Sequence, residues 1–404
     1  MSKHPTSKSL IPQSPNLYSP NLQSLFPNPL IRILHCIETI ASGGVEQTLL
    51  TLIRGLDKKK FHHRIICTWK GGPVAEALEA EGIGLIPIGS FKHPLQWSKH
   101  KQVLKVIREF KPHIIHGAIF EGMSMAAIGG KLGKVPITIL EETSDPQNRS
   151  KKANFLLRLM SNQADVIQAI SSNVGRYLIE KTGVKEDKIR VILNGLSLSE
   201  KKEESELDQI QEYLALLKNE LVIGFVGRLF DDHKRVSDLI KAVKLTKSDT
   251  LKVLIIGDGP DKKSLMALVN QFGLMDQVIF AGYQSHNQDF YSVMDVLVVP
   301  SSREGFGLVA VEAMLHGLPV IATKVGGLQD IVLDQETGYL VPPFSPESLA
   351  EKIQLLIDQP ELRQEMGEKG RQRALAHFSA ERYCREVENL YLELLRKKGI
   401  EIRE

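Results

Sequence analysis

Short runs of β-branched and aliphatic residues alternate with longer amphipathic stretches from residue 31 onward, and the alternation occurs twice along the 404-residue chain. The strand-like runs of the first half cover residues 31–37, 63–67, 113–116, 137–140, 166–170 and 189–192. Those of the second half cover residues 221–226, 252–256, 277–280, 296–299, 319–322 and 339–341. Strands separated by helices form a parallel sheet with helices on both faces. The sequence therefore predicts an α/β protein with two Rossmann-like domains facing each other, whose strand-end loops point into the cleft between them.

The composition of the segments around these runs indicates the domain boundaries. Residues 1–30 are rich in Ser, Pro and Asn and predict a disordered N-terminal extension. We expect the first domain over residues 31–197 and the second over residues 221–379. Between them, residues 198–220 are highly charged and carry apolar side chains at helical spacing, which predicts a connector helix.

The overall composition excludes several classes of protein. With 42% hydrophobic and 25% charged residues, the chain has the make-up of an ordinary soluble globular protein. No apolar run approaches the ~18 residues that cross a bilayer, and residues 1–30 lack the apolar core of a secretory signal. Three scattered cysteines, Cys36, Cys67 and Cys384, are too few for a disulfide framework or a metal cluster. We expect buried thiols at Cys36 and Cys67 and a reducing, cytoplasmic location.

Positive charge is concentrated in the first half of the chain. Residues 1–200 contain 26 Lys and Arg against 16 Asp and Glu, whereas the remainder contains 25 against 32. Two basic clusters, at residues 58–60 and 149–152, lie in that half. This imbalance predicts contact with an anionic membrane surface or a lipid-phosphate acceptor. Nucleic acid is the competing partner, but we expect none because the chain has no zinc-finger, RNP or helix-turn-helix signature.

The segment 300–314 places two carboxylates, Glu304 and Glu312, on either side of a strand-to-helix turn. Gly305 and Gly307 allow the backbone to turn sharply, and a helix is predicted to begin near Leu308. The free N–H groups and the dipole of that helix start form a site for an anion such as a diphosphate. Two acids beside such a site suit the binding of sugar hydroxyls or the stabilisation of positive charge at a sugar carbon.

The motifs of the second half resemble a known family. The segment 304–314, together with residues 317–322 and 325–327, closely resembles the family 4 retaining glycosyltransferases of GT-B fold, the glycosyl transferases group 1. The resemblance continues at residues 225–229, 234, 255–260 and 280–283, and in the first half at residues 43–46, 164–167 and 191–195. It spans nearly the whole chain after about residue 30. It also implies that the last segment, 380–404, forms a helix that crosses back to the first domain.

The resemblance implies how the donor diphosphate is held. Catalysis requires neutralising the charge that develops on this leaving group. Metal-dependent glycosyltransferases use an Asp-x-Asp motif, which this chain lacks. Arg228 and Lys234 match the positions that hold the diphosphate in the family, and Arg suits bidentate contact while Lys acts as a point charge. We therefore expect no metal and no cofactor, and we leave the neighbouring His233 and Arg235 out of the site.

Further contacts to the donor follow from the same resemblance. Glu304 is expected to contact the hexose near its C3 and C4 hydroxyls, and Glu312 is expected to accept hydrogen bonds from the ribose hydroxyls. The backbone N–H groups of Gly307, Leu308 and Val309 are expected to meet the β-phosphate.

Three weaker motifs complete the predicted site. The loop at Gly43 and Gly44 follows the first strand, and its backbone can approach the phosphates closely. The backbone at Gly282 and Tyr283 lies at a strand end and is suited to reading the edge of the base. His116 is a candidate for a catalytic group near the reacting carbon. Relatives carry their histidine two or more positions further on, so Ala118 or Glu121 are alternatives for that place.

These features predict a cytoplasmic, metal-independent, retaining glycosyltransferase of polysaccharide biosynthesis. It would move a hexose from a nucleoside-diphosphate donor to a lipid-linked or cell-surface saccharide, as a peripheral membrane protein. The alternatives are a non-catalytic subunit that binds nucleotide sugars, or another GT-B enzyme such as an epimerase or a phosphorylase. A dehydrogenase is disfavoured because the first β-α turn, residues 41–46, lacks a complete Gly-x-Gly-x-x-Gly.

Overall fold

The computed structural model describes residues 30–400 apart from 146–148, 198–203, 218–219, 249 and 285–286. A seven-stranded sheet forms the centre of the first half of the chain. Its strands are β1 Ile31–Ile40, β2 Phe61–Lys70, β3 Gly84–Pro87, β4 Ile114–Ala118, β5 Ile137–Glu142, β6 Val166–Ala169 and β7 Ile189–Val191. They lie in the order β3-β2-β1-β4-β5-β6-β7, and all neighbouring pairs are parallel.

A six-stranded parallel sheet forms the centre of the second half. Its strands are β8 Leu221–Val226, β9 Leu251–Ile256, β10 Val278–Gly282, β11 Val296–Val299, β12 Val320–Thr323 and β13 Gly338–Val341. They lie in the order β10-β9-β8-β11-β12-β13. Every residue of β11 is buried, as expected for a central strand covered by helices on both faces. The predicted pair of Rossmann-like parallel sheets is confirmed.

Helices connect the strands in both halves. Those of the first half are α1 Gly44–Gly55, α2 Pro73–Ala80, α3 Trp97–Phe110, α4 Ile119–Gly133, α5 Lys151–Gln163 and α6 Ser172–Glu180. Those that follow are α7 Glu204–Tyr213, α8 Asp231–Lys234, α9 Val236–Leu245, α10 Lys262–Gln271, α11 Gln288–Tyr291, α12 Leu308–Leu315, α13 Leu328–Ile331, α14 Pro346–Asp358, α15 Pro360–His377 and α16 Ala380–Lys397. Most of them bury an apolar stripe in the protein interior; in α3 this stripe includes Val103, Val106, Ile107 and Phe110.

Two details differ from the sequence-based expectation. Strand β3 was not predicted, because it has only four residues, begins with Gly, ends with Pro and has no buried residue. The connector helix predicted over 198–220 is wrong in its extent. The helix α7 ends at Tyr213, the backbone at Ala215 has a positive φ of 52°, and Leu217 is exposed. Residues 198–203 and 218–219, and the predicted disordered extension up to residue 29, lie outside the described residues.

The last helix, α16, packs against the first sheet rather than the second. Its buried Tyr383, Val387 and Tyr391 belong to an apolar cluster that also contains Ile33 of β1 and Ile114 of β4. Cys36, Cys67 and Cys384 are all buried free thiols, which confirms the expectation for the first two. Within the described part of the chain, no helix combines the length and the apolar character needed to cross a bilayer.

Candidate active site

Both sheets reverse their strand order at one point, between β1 and β4 in the first and between β8 and β11 in the second. Ligands of open α/β sheets bind at the carboxyl ends of the strands next to such a point. The loops that follow these strands carry Gly43 after β1, Ala118 at the end of β4, Arg228 after β8 and Glu304 after β11. Most of the predicted site residues therefore lie near the two points at which the strand order reverses, the switch points of the sheets.

The two domains approach each other closely at this place. A Cβ atom built on Gly44 would lie 2.8 Å from Leu308 Cδ1 of the second domain, so a side chain at this position would displace the end of the Leu308 side chain. The backbone N–H of Ser172, at the start of α6, donates to Asp330 Oδ2 of the second domain at 2.7 Å. The predicted glycine loop and the predicted phosphate-binding turn are thus neighbours.

Lys234 and Glu304 form an ion pair at the centre of the site. Lys234 Nζ donates to Glu304 Oε2 at 2.6 Å, and Ser301 Oγ donates to the same oxygen at 3.2 Å. The two charged side chains are only 18% and 14% exposed. Burial raises the pKa of Glu304, but Lys234, His233 and Ser301 together outweigh burial and hold that pKa below its usual value. Glu304 is therefore an ionised hydrogen-bond acceptor.

Hydrogen bonds between the loops after β8 and β11 hold this pair in place. The Ser302 N–H donates to the His233 carbonyl oxygen at 2.8 Å, and His233 Nε2 lies 2.7 Å from the Arg303 carbonyl oxygen. Arg235 instead forms a two-pronged contact with Asp238, with both distances 2.9 Å. His233 and Arg235 thus have structural partners.

Arg228 lies at the carboxyl end of β8 with its side chain exposed. Among the described residues its guanidinium group has no hydrogen-bond or ion-pair partner. The backbone on either side of it is fixed, because the Gly227 N–H donates to the Ile256 carbonyl oxygen and the Leu229 N–H donates to the Asp258 carbonyl oxygen. Its guanidinium group is therefore available to an anionic ligand, on a backbone that does not need to rearrange.

Glu312 lies one turn inside α12 and has a buried tyrosine as its partner. Tyr291 Oη donates to Glu312 Oε2 at 2.6 Å. Burial raises the pKa of Glu312, and the hydrogen bond from Tyr291 offsets this only in part. Sequence reasoning missed both Tyr291 and Ser301, since nothing in the local pattern marks either residue as the partner of a carboxylate.

The start of α12, where an anion site is predicted, has no side-chain cap. Gly307 precedes the helix with a positive φ of 111°, a conformation that favours glycine, and no side chain caps its N–H groups. The N–H groups of Leu308 and Val309 belong to the first turn, where an α-helix offers no internal acceptor. They therefore remain available for the oxygens of a phosphate.

At the strand end predicted to contact the base, formed by Gly282 and Tyr283, one backbone group is already hydrogen-bonded. Gly282 ends β10 with a φ of 70°, and its carbonyl oxygen already accepts the Gly257 N–H at 2.8 Å. Tyr283 is 61% exposed at the same strand end. Tyr283 is therefore the more accessible of the two residues at this edge, and the Gly282 carbonyl oxygen has one acceptor position already occupied.

His116 lies in the interior of the first domain. Its side chain is 3% exposed, and its Nδ1 lies 2.8 Å from Tyr391 Oη of α16. Its Nε2 lies 3.4 Å from Glu141 Oε2. The expected role of His116 near a reacting carbon stays a prediction. The alternatives, Ala118 and Glu121, are only partly buried at the end of β4 and the first turn of α4.

No group of three or more His, Cys, Asp and Glu side chains suitable for a metal ion occurs in the part of the chain that the structure describes. The cations that accompany Glu304 at the switch point are Lys234 and Arg228.

Two facing Rossmann-like domains, with a cation and carboxylate pair beside a helix N-terminus in the second, place the chain in the class of GT-B proteins, and the sequence comparisons identify it as a glycosyltransferase. Sequence comparison agrees in both halves. The family profile "Glycosyltransferase Family 4" matches residues 42–200, and the profile "Glycosyl transferases group 1" matches residues 207–373. The chain belongs to this family, the group 1 glycosyltransferases of family 4 type.

Individual relatives agree with this assignment. The capsular polysaccharide biosynthesis glycosyltransferase CapM of Staphylococcus aureus is 32% identical over 316 residues, which cover 74% of this chain and 83% of that protein. The N-acetyl-alpha-D-glucosaminyl L-malate synthase of Bacillus anthracis is 31% identical over 64% of this chain and 66% of that protein. The structure of Anabaena HepE in complex with UDP-glucose has a TM-score of 0.81 at 21% identity, covering 90% of this chain and 99% of that one.

Proposed function

We propose that this glycosyltransferase moves a hexose, with retention of configuration, from a nucleoside-diphosphate sugar to a lipid-linked or cell-surface saccharide. The observation that carries the proposal is the Lys234–Glu304 pair beside the uncapped start of α12, with the unpartnered Arg228 on the neighbouring loop. Two further facts support it. HepE, whose fold this chain shares, has been crystallised with UDP-glucose, and CapM is named for capsular polysaccharide biosynthesis.

In this proposal the second domain holds the donor. Arg228, Lys234 and the N–H groups of residues 307–309 neutralise the departing diphosphate. Glu304 accepts hydrogen bonds from the hexose hydroxyls, and Glu312 accepts them from the ribose. The loop at residues 43–44 closes over the phosphates from the first domain. His116 does not touch the donor here; buried against Tyr391, it supports the end of β4.

The state of Glu304 favours one of two mechanisms for retention. Its Oε2 accepts hydrogen bonds from both Lys234 and Ser301, so this oxygen is held for hydrogen bonding rather than for attack on C1. We therefore propose a front-face reaction. The bond from C1 to the phosphate oxygen breaks as the acceptor oxygen bonds to C1 on the same face, and the departing phosphate oxygen takes the acceptor proton. A double displacement through a protein carboxylate is the alternative.

A panel of nucleoside diphosphates tests the donor proposal. We expect UDP, GDP or ADP to raise the melting temperature of the full chain, because a ligand that binds only the folded state stabilises it. The matching nucleotide sugar should then release the same diphosphate slowly, with water as acceptor. Binding without any release would favour the non-catalytic binding subunit. The absence of binding by every member of the panel would overturn the proposal.

Removal of divalent metal is expected to leave most of the activity. Two protein cations and a helix N-terminus already face the proposed diphosphate position, so the leaving group has its counter-charges without a metal. The measurement is donor hydrolysis with and without EDTA, followed by the addition of Mg²⁺ or Mn²⁺. Activity that vanishes with EDTA and returns with the ion would contradict metal independence and point to a carboxylate site for the metal.

The buried, unpaired thiols support a reducing, cytoplasmic location. The excess of positive charge in residues 1–200 supports peripheral contact with an anionic membrane, where a lipid-linked acceptor would be presented.

A further inference from the structure

One helix of the first domain, α5, presents apolar and basic side chains together to solvent. Phe155 is 62% exposed and Leu159 is 45% exposed, although both are large apolar residues. Lys151, Lys152 and Arg158 are exposed on the same helix. No acidic residue occurs between residues 151 and 163. The combination is unusual for a surface that faces only water, because the apolar area is contiguous with unneutralised positive charge.

These exposed side chains form a single face. Lys151, Phe155 and Leu159 follow one another at intervals of four, which places them on one stripe of an α-helix. The opposite side of α5 is buried through Leu157, Met160 and Ser161. The helix is therefore packed on the protein interior, next to α4, by one stripe and leaves a second, basic and apolar, stripe outside. A helix with this division is suited to the interface of a bilayer, where Lys and Arg meet phosphates and Phe and Leu enter the acyl region.

The position of α5 connects this face to the active site. The helix follows β5, so its first turn, with Lys151 and Lys152, lies at the carboxyl edge of the sheet beside the cleft. In the intervening loop, Arg149 donates to both carboxylate oxygens of Glu142. The same loop touches the second domain, since a Cβ atom built on Gly305 would lie 2.6 Å from the Thr143 carbonyl oxygen. A membrane on this face would meet the rim of the cleft.

We propose that the outer face of α5, formed by Lys151, Lys152, Phe155, Arg158 and Leu159, docks the enzyme on the surface of an anionic phospholipid bilayer. The positive charge of the face selects anionic headgroups, and the two apolar side chains enter the boundary of the acyl region. The docked orientation brings a lipid-anchored acceptor to the cleft rim. The inference rests on the proposed lipid-linked acceptor, but the docking itself is measurable without any sugar substrate.

The test is co-sedimentation of the full chain with vesicles of phosphatidylcholine, alone or mixed with phosphatidylglycerol, at low and high salt. The wild-type chain should bind the mixed vesicles and be released by salt. Lys151→Gln with Lys152→Gln should weaken this binding about 30-fold, since each lysine near an anionic surface contributes about five-fold. Phe155→Ser with Leu159→Ser should weaken it about ten-fold through lost insertion.

A matched pair on the second domain serves as the control. Lys244 and Leu245 at the end of α9 are also an exposed lysine and an exposed leucine, and Lys244→Gln with Leu245→Ser should leave vesicle binding unchanged. Melting temperatures check that every variant is folded. No binding by the wild-type chain, or equal binding by the α5 variants, would overturn the docking face. If only the lysine variant lost vesicle binding, the proposal would also be overturned. That result would indicate a surface that binds polyanions by charge alone, without insertion of Phe155.

Donor hydrolysis separates this inference from the proposed function. All α5 variants should release nucleoside diphosphate at the wild-type rate in the absence of lipid. If no nucleotide sugar is hydrolysed but vesicle binding depends on α5, the docking face is supported and the proposed donor chemistry is contradicted.

Discussion

Replacing Lys234 with alanine is expected to lower turnover by at least about 10²-fold, the scale of removing one preorganised charge partner of a transition state. The substitution removes a cation from the proposed diphosphate site and also frees Glu304, whose carboxylate lies 2.6 Å from Lys234 Nζ. Turnover is measured with the best nucleotide sugar from the diphosphate panel. The control is Lys241→Ala, which removes a lysine that is 44% exposed on α9, close in sequence but outside the site.

The same substitution is expected to change how stability depends on pH. In the wild-type chain the folded pKa of Glu304 is below its usual value, so its stabilising contribution is present above the unfolded pKa and is lost as the pH falls through the folded pKa. Without Lys234, burial is the largest remaining influence, and we expect it to raise the folded pKa against the opposing effects of His233 and Ser301. The contribution of Glu304 then becomes destabilising as the pH rises from the unfolded pKa to this raised folded pKa, so the sign reverses.

Melting temperatures between about pH 4 and pH 8 test this reversal. The difference between wild-type and Lys234→Ala chains should grow toward neutral pH. A constant difference across that range, together with near-wild-type turnover, would remove both the ion pair and the phosphate role from Lys234.

Replacing Arg228 with alanine is expected to lower turnover by a similar factor, at least about 10²-fold, but with no change in melting temperature. The reason for the contrast is that Arg228 is exposed and has no partner among the described residues, whereas Lys234 neutralises a largely buried carboxylate. Arg228→Lys should restore only part of the activity, because lysine keeps the charge but loses the planar bidentate contact.

Two further variants make this result interpretable. Arg396→Ala, at the exposed end of α16, removes an arginine far along the chain from the donor site and should have no effect on turnover. If both cations act on one diphosphate, the double variant Arg228→Ala with Lys234→Ala should lower turnover by a smaller factor than the product of the two single decreases. Wild-type turnover in Arg228→Ala would remove this residue from the proposed site.

Much of the fold could be read from local pattern. The residues of β8 and β11 are continuous apolar runs because a central parallel strand is covered on both faces, and their predicted bounds agree with the structure. The turn before α12 was also predictable from local pattern, since Gly305 and Gly307 between a strand and a helix permit the sharp turn, and Gly307 adopts a positive φ of 111°. Strand β3 escaped prediction because its four residues are partly exposed and carry little apolar signal.

The sequence by itself thus determined the two parallel sheets, the start of α12 and the family, because each depends on the spacing of residues within short segments. Only the tertiary structure decided which side chains meet. Lys234 pairs with Glu304 across 70 positions, Tyr291 donates to Glu312, and Tyr391 joins His116 across 275 positions. These contacts depend on the order of the strands in the sheets and on where α16 packs. The periodicity of a single segment reveals neither feature.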